Sequence, residues 1–335
     1  MKTGVLLVNL GTPDFPDAKH VGTYLSQFLN DPRVIDIPWL SRKLLVNLII
    51  VPFRSRSSSA LYKKIWTEKG SPLMFHSVES AKKLQSALGE NYVLELAMRY
   101  RKPSIEGALK RLQEQSPDKI IVFPVFPQYA SASTGSVHQE VMRIVSKWEV
   151  VPSINFISTF FEEPSFIDAW AERGKEYMQE SYDHYLFSFH GLPERQMRKA
   201  YPEGPCLQDK SCCENLNEKN YYCYKAQCYK TAKDIAAKLQ ISNYTVSFQS
   251  RLGKSPWIKP YTDDMLKILA EKGHKKILAF APAFVSDCLE TIYEIAVEYQ
   301  EKFESYGGEK ITLVESLNSH DAWIESMKKI IHKNQ

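Results

Sequence analysis

No stretch of the 335 residues approaches the ~20 consecutive apolar residues of a membrane-crossing helix, so no spanning helix is expected. Neither sign of charge dominates. Lys and Arg total 43 against 39 Asp and Glu, a net charge of +4 that is too balanced to argue for nucleic acid as a partner. Six cysteines in so long a chain do not make a secreted disulfide framework. The opening GVLLVNL has no charged n-region, no long h-region and no small-residue cleavage site, so it reads as a strand and not as a leader. These absences predict a cytoplasmic protein, with peripheral contact at the inner face of the membrane as the remaining membrane association. What is present is a 44% hydrophobic fraction, enough for one large α/β unit or two domains.

Short apolar runs alternate with amphipathic stretches along nearly the whole chain. Strands are predicted over 4–10, 92–98, 119–126, 154–159, 184–190, 244–248, 275–282 and 311–315. Helices between them show i, i+3, i+4 spacing, as with Val21, Tyr24, Leu25, Phe28 and Leu29. Buried strands alternating with helices predict parallel sheets with helices on both faces. KIIVFPVFPQ at 119–128 resembles KILAFAPAFV at 276–285, each after a Pro-opened helix. The expected organisation is two similar α/β halves, 1–150 and 151–335, with a ligand at the carboxyl ends of the strands in the cleft between them.

Three loops are expected there. HYLFSFHGLP at 184–193 delivers His190 to a strand end, where Gly191 and Pro193 stop the strand. PVFPQYASASTGS at 124–136 carries Tyr129. APAFVSDCLETIYEIAVEY at 281–299 places Asp287 and Glu290 at a capping-box spacing, and stacks Glu290, Glu294 and Glu298 at i, i+4 and i+8 on one helix face. A row of acids is usually a solvated face. Beside a strand end that carries a histidine it gains a second reading, because imidazole and carboxylates suit a divalent first-row metal and proton abstraction near neutral pH.

LLVNLGTP at 6–13, FLNDPRVIDIP at 28–38, GSPL at 70–73, AMRY at 97–100, PQYASASTGS at 127–136, FSFHGLP at 187–193, SFQSRLGKSPWIKPYTDD at 247–264 and SDCLET at 286–291 occur in this order. Through them the chain closely resembles the ferrochelatases, which insert Fe²⁺ into a porphyrin to make haem. The resemblance implies two Rossmann-like, doubly wound domains around a porphyrin cleft. It implies that His190 and Glu290 bind the metal or take the pyrrole protons, with Asp287 orienting His190 or holding it charged. Glu294 and Glu298 match an acidic stripe for metal or protons. Tyr129, Arg251 and Trp257 match positions that line or support the cleft, and Tyr62, Lys63 and Lys64 a segment near the propionates. Leu10 is apolar, which favours protoporphyrin IX over coproporphyrin. A cobalt or nickel chelatase of similar fold and a non-catalytic porphyrin carrier are the rival readings.

Two segments stand apart. In 37–56, Leu40, Leu44, Leu45, Leu48 and Ile49 form a helical stripe with Arg42, Lys43, Arg54 and Arg56 at its margins. Composition alone balances a core-packed helix against an apolar lip resting on a membrane surface, which the resemblance also implies. In 201–224 and just beyond, Cys206, Cys212, Cys213, Cys223 and Cys228 fall within 23 positions of a polar segment. Thiolate–metal bonds would order such a segment. The resemblance to those bacterial ferrochelatases with an internal Cys-rich segment implies a [2Fe–2S] cluster on Cys206, Cys212, Cys213 and Cys223, with Cys228 as substitute and zinc as the alternative.

Overall fold

The computed structural model describes residues 2–201, 211–253 and 255–335. The chain forms two units: Met1–Phe126, Ala130–Thr159 and Ser319–Gln335 make the first, and Pro127–Tyr129 with Phe160–Asn318 the second. The first holds a parallel sheet of β1 (Thr3–Asn9), β2 (Tyr92–Met98), β3 (Lys119–Pro124) and β4 (Ser153–Phe156), in the order β2-β1-β3-β4. The second repeats that plan with β5 (His184–His190), β6 (Tyr244–Gln249), β7 (Lys276–Phe280) and β8 (Lys310–Leu313), in the order β6-β5-β7-β8. The resembling segments at 119–128 and 276–285 thus begin in β3 and β7, which hold equivalent places in the two sheets.

Val5, Leu6, Leu7 and Val8 of β1, Ile120–Phe123 of β3 and Ile277–Phe280 of β7 are all buried. Unbroken apolar runs of this kind are what burial on both sheet faces demands. In each unit the first strand has its successor on one side and the third strand on the other. The winding therefore reverses between β1 and β3, and again between β5 and β7, and such reversals open a crevice at the carboxyl ends of the strands.

Residues 319–335 fall in the first unit, where a boundary at 150 alone would put them in the second. Their helix Asp321–Lys333 is tied there by Lys83 to Asp321 at 2.7 Å and by the Asn155 side chain to the Asn334 carbonyl at 2.7 Å.

The helical run over 39–65 corrects the core-packed reading of its apolar stripe. Trp39 is 64% and Phe53 77% exposed, and Leu40, Leu44, Leu48 and Ile49 are exposed with them. Arg42 and Val46 are the buried residues of 39–50. The Arg42 guanidinium donates to the Ile37 carbonyl at 2.7 Å, and Asn47 accepts from Ser26 at 2.9 Å and Asn30 at 3.0 Å, so the polar side is the anchored one. Leu45–Ile50 also winds with the wider π-helical turn, which shifts the face that an α-helical count assigns. Among the described residues no helix is long and apolar enough to cross a membrane.

At the opposite end of β5 from His190, His184 is buried, with Nε2 2.8 Å from the Thr245 hydroxyl. Burial first, then the charges of His274 and Lys272, push its pKa down to about 4 from the ordinary 6.5. The unfolded chain therefore binds the extra proton between those values. His184's contribution to stability is complete above about pH 6.5 and is lost as pH falls toward 4. Urea unfolding of the wild type is expected to weaken over that window, and His184→Gln to flatten the slope. An unchanged slope in the variant would place the acid sensitivity elsewhere.

Candidate active site

β5 ends on His190 because the next residue leaves no room for a side chain. A Cβ on Gly191 would lie 2.9 Å from the Gln249 carbonyl oxygen and 3.2 Å from Trp257 Cε3. The Gly191 amide donates to that same carbonyl at 2.8 Å. His190 is half-buried, its ring centroid 6.3 Å from those of Trp257 and Phe284. Its Nδ1 lies 2.6 Å from the Gly191 carbonyl oxygen. A carbonyl only accepts, so Nδ1 carries a proton, and in the neutral ring it is Nε2 that presents the lone pair. This backbone bond fixes the tautomer in the way that bonds behind metal-bound and general-base histidines do. Trp257 is buried and its indole donates to the Leu252 carbonyl at 2.9 Å. Ile258 N–H to Leu192 and Glu194 N–H to Pro256, both 3.0 Å, zip the 191–194 loop to 256–258. Arg251 is exposed, its guanidinium 4.4 Å from the Tyr261 ring centre.

From the other side of the reversal, β7 leads into the loop 281–289 and the π-helix Glu290–Tyr299. π-helical turns favour functional sites. Asp287 is buried, and its carboxylate accepts from Thr291 Oγ1 at 2.9 Å, Asn318 Nδ2 at 2.7 Å and Ser316 N at 3.3 Å. These partners make Asp287 the organiser of the helix start, and correct the expectation that it orients His190, whose Nδ1 is held by the Gly191 carbonyl. The capping-box pairing of Asp287 with Glu290 is also replaced. Thr291 closes the turn instead, its hydroxyl accepting from Cys288 N at 3.0 Å. The Glu290 carboxylate is released from capping and meets the Cys288 thiol, whose pKa burial first and Glu290 second push well up.

The acidic stripe is divided among different partners. Glu294 accepts from Ser250 N at 2.7 Å, Ser250 Oγ at 2.5 Å, Gln249 Nε2 at 3.0 Å and Tyr299 Oη at 3.0 Å. Burial, then the Glu294 charge, raise the Tyr299 pKa, so its phenol stays a donor. Glu298 pairs with Lys302 at 2.9 Å. Among the described residues no three His, Cys, Asp or Glu form a ready metal-holding group, so His190, Glu290, Glu294 and Glu298 are not a closed ligand set.

Gln249, which the sequence offered only inside the SFQS motif, joins the two halves of the site. It is 1% exposed and stands beside His190 in register. Its Oε1 accepts from Ser188 at 2.6 Å, and its Nε2 donates to the Glu290 carbonyl at 2.9 Å as well as to Glu294. One buried amide thus spans from the His190 strand to the first turns of the acidic helix.

Tyr129 is held by its amide, which donates to Gln227 Oε1 at 2.6 Å, and meets Tyr222 edge-on at 5.4 Å. In the first unit Leu10 follows β1, half-buried, and its amide donates to Asn9 Oδ1 at 2.8 Å. Tyr62 is buried edge-on against Tyr24 and Trp66, while Lys63 and Lys64 are exposed. That segment presents its ammonium groups and not its phenol.

Cys206 lies outside the described residues. Cys212 Sγ is 4.0 Å from Cys213 Sγ, and Cys213, Cys223 and Cys228 are buried. Burial, with the nearby Cys212 and Cys223 adding to it against Lys225, pushes the Cys213 thiol up to about 12. Burial is also what lifts Cys228, with Cys223 and Cys213 adding to it.

The ferrochelatase family model matches residues 2–335. The ferrochelatase of Legionella pneumophila (strain Lens) is 45% identical over 335 residues, 99% of each chain. That of Coxiella burnetii (strain Dugway 5J108-111) is 44% identical over 336 residues, 99% of this chain and 94% of its own. Among solved structures, the sirohydrochlorin chelatase SirB from Bacillus subtilis subspecies spizizenii in complex with cobalt superposes with a TM-score of 0.58 at 10% identity, over 100% of this chain and 95% of its own. SirB from Bacillus subtilis with Fe³⁺ gives 0.55 at 13% identity, over 100% and 96%. At that identity the likeness speaks for the fold.

Proposed function

Since the chain belongs to the ferrochelatase family, and so inserts iron into a porphyrin for haem synthesis, we propose that His190 and Glu290 carry the reaction and that protoporphyrin IX is the porphyrin it takes. Fe²⁺ and the porphyrin are its substrates. As Fe²⁺ binds the four nitrogens, the two pyrrole N–H bonds break and two protons leave. The observation that carries the reading is the Nδ1–H bond of His190 to the Gly191 carbonyl. It leaves Nε2 to accept a pyrrole proton, and the carbonyl steadies the imidazolium that forms. Glu290, freed from capping, is the second acceptor or meets the arriving metal. Glu294 and Glu298 continue the acidic path, Glu294 with its carboxylate oriented by Ser250 and Gln249. Asp287 acts by fixing the helix start that presents Glu290.

Tyr129, Arg251 and Trp257 support the porphyrin, and Lys63 and Lys64 pair with its propionates. Leu10 gives an apolar wall where a more carboxylated ring would need cations. The exposed stripe of Trp39, Leu40, Leu44, Leu48, Ile49 and Phe53, with Lys43, Arg54 and Arg56 near it, suits peripheral contact with an anionic membrane surface. On this reading the enzyme works in the cytoplasm, at the inner face of the membrane.

For the thiols the reading is an iron–sulfur group that would have to draw them together, since among the described residues no three His, Cys, Asp or Glu form a ready metal-holding group. Two ligands on one tetrahedral metal with ~2.3 Å bonds lie about 3.8 Å apart, close to the 4.0 Å between Cys212 and Cys213. Cys206, Cys212, Cys213 and Cys223 would hold a [2Fe–2S] cluster, which supplies cross-links that order the polar segment. Zinc is the other occupant of such a set.

The test is anaerobic insertion of Fe²⁺ into protoporphyrin IX and coproporphyrin III, read by product absorbance, after the protein's own visible spectrum is recorded. Faster turnover of protoporphyrin is expected; faster turnover of coproporphyrin overturns the use of Leu10. Charge-transfer bands are expected from the protein alone, and a colourless, zinc-loaded protein overturns the cluster.

A further inference from the structure

The peptide unit between His190 and Gly191 is clamped at both ends. Its N–H, that of Gly191, donates to the Gln249 carbonyl at 2.8 Å. Successive residues of a strand turn their backbone groups to opposite neighbours, so the His190 carbonyl faces away from β6. On that side the β5–β7 ladder has already ended, at Phe187 opposite Phe280. The missing partner is a side chain. Tyr224, buried at the start of the helix Tyr224–Lys238, donates its hydroxyl to the His190 carbonyl at 2.8 Å.

A phenol has one proton, and the carbonyl takes it. Burial, the largest cause, holds the Tyr224 pKa well above its ordinary value, so the hydroxyl stays a donor.

We propose that Tyr224 is a positioning residue for His190. It holds the carbonyl end of the peptide whose next carbonyl fixes the imidazole. The inference rests on His190 as a proton acceptor in the reaction.

The experiment compares Tyr224→Phe, His190→Ala and the Tyr224→Phe/His190→Ala pair with the wild type in the full chain, by steady-state Fe²⁺ insertion. Tyr224→Phe is expected to lower kcat about tenfold, the worth of one buried hydrogen bond, with the porphyrin KM unchanged. In the His190→Ala background the same substitution is expected to add nothing, since it acts through that ring. An unchanged kcat in Tyr224→Phe, an effect confined to KM, or effects that multiply in the pair would overturn the proposal. Should Tyr224→Phe not fold, the protein with fluorotyrosine at 224, a stronger donor, is assayed instead, and an unchanged kcat overturns it. Insertion retained in His190→Ala would remove the role of His190 itself. Loss there with an intact Tyr224→Phe removes only the positioning.

Discussion

His190→Ala is expected to bind porphyrin as the wild type does and to insert Fe²⁺ about 10²–10⁴-fold more slowly, the usual contribution of one positioned proton acceptor. The loss should fall on kcat, because the ring is fixed by its own backbone at Gly191 and is not part of the packed core. Trp257 and the 191–194 loop are held by backbone bonds that the substitution leaves alone, so the porphyrin surface survives it. Single-turnover insertion separates the two readouts: porphyrin fluorescence quenching reports binding, and the appearance of product bands reports insertion. Imidazole in solution should restore part of the rate, since what is missing is a neutral nitrogen base. Wild-type insertion in the variant would sink the role given to His190. Lost porphyrin binding would instead make His190 a binding residue.

The strand that carries His190 was legible because a parallel strand buried on both faces must be an unbroken apolar run, and FSFHGLP breaks it abruptly at a residue with no room for a side chain. The exposed face of 39–65 was not. Its α-helical periodicity is genuine, but a π-turn over Leu45–Ile50 and the inward Arg42 decide which side is anchored. The acidic stripe illustrates the same limit. Spacing places Glu290, Glu294 and Glu298 along one helix, yet their characters differ through residues from elsewhere: Ser250 and Gln249 for Glu294, Cys288 for Glu290. The capping pair Asp287–Glu290 looked complete in sequence, and Thr291 displaced it because its hydroxyl reaches both Asp287 and Cys288 N. Tyr224 reaches the His190 carbonyl through a hydroxyl, and Gln249 joins Ser188 to Glu290 and Glu294 through an amide; only the fold brings these groups to that strand end, and no local pattern marks them.

Asp31→Ala is expected to cost the first unit about 3–5 kcal/mol, the range for removing one partner of a buried ion pair. Asp31 is 5% exposed in the FLNDPRV segment. Its Oδ2 accepts from Arg99 Nη2 at 2.8 Å, Tyr100 Oη at 2.9 Å and Ser136 Oγ at 2.5 Å, and its Oδ1 from the Arg33 amide at 2.7 Å. Alanine leaves a half-buried guanidinium, a buried phenol and a buried hydroxyl without their shared acceptor, and unpaired donors are dearer than the bonds they made. Burial, the largest cause of the raised Tyr100 pKa, persists when the Asp31 charge is gone, so the phenol does not ionise as a substitute. Hydrogen exchange localises the effect. Amides of β1, β2 and β3 should lose protection while those of β5 and β7 keep theirs, since Arg99, Tyr100 and Ser136 all belong to the first unit. Asp31→Asn, which retains an acceptor without the charge, should cost less than alanine. The decisive comparison is Asp31→Leu with Arg99→Leu. If the carboxylate matters because it compensates a cation, the double variant should be more stable than Asp31→Leu alone. If the double variant falls below the wild type by the sum of the two single losses, the carboxylate acts through Tyr100, Ser136 and the Arg33 amide, and the ion pair is incidental.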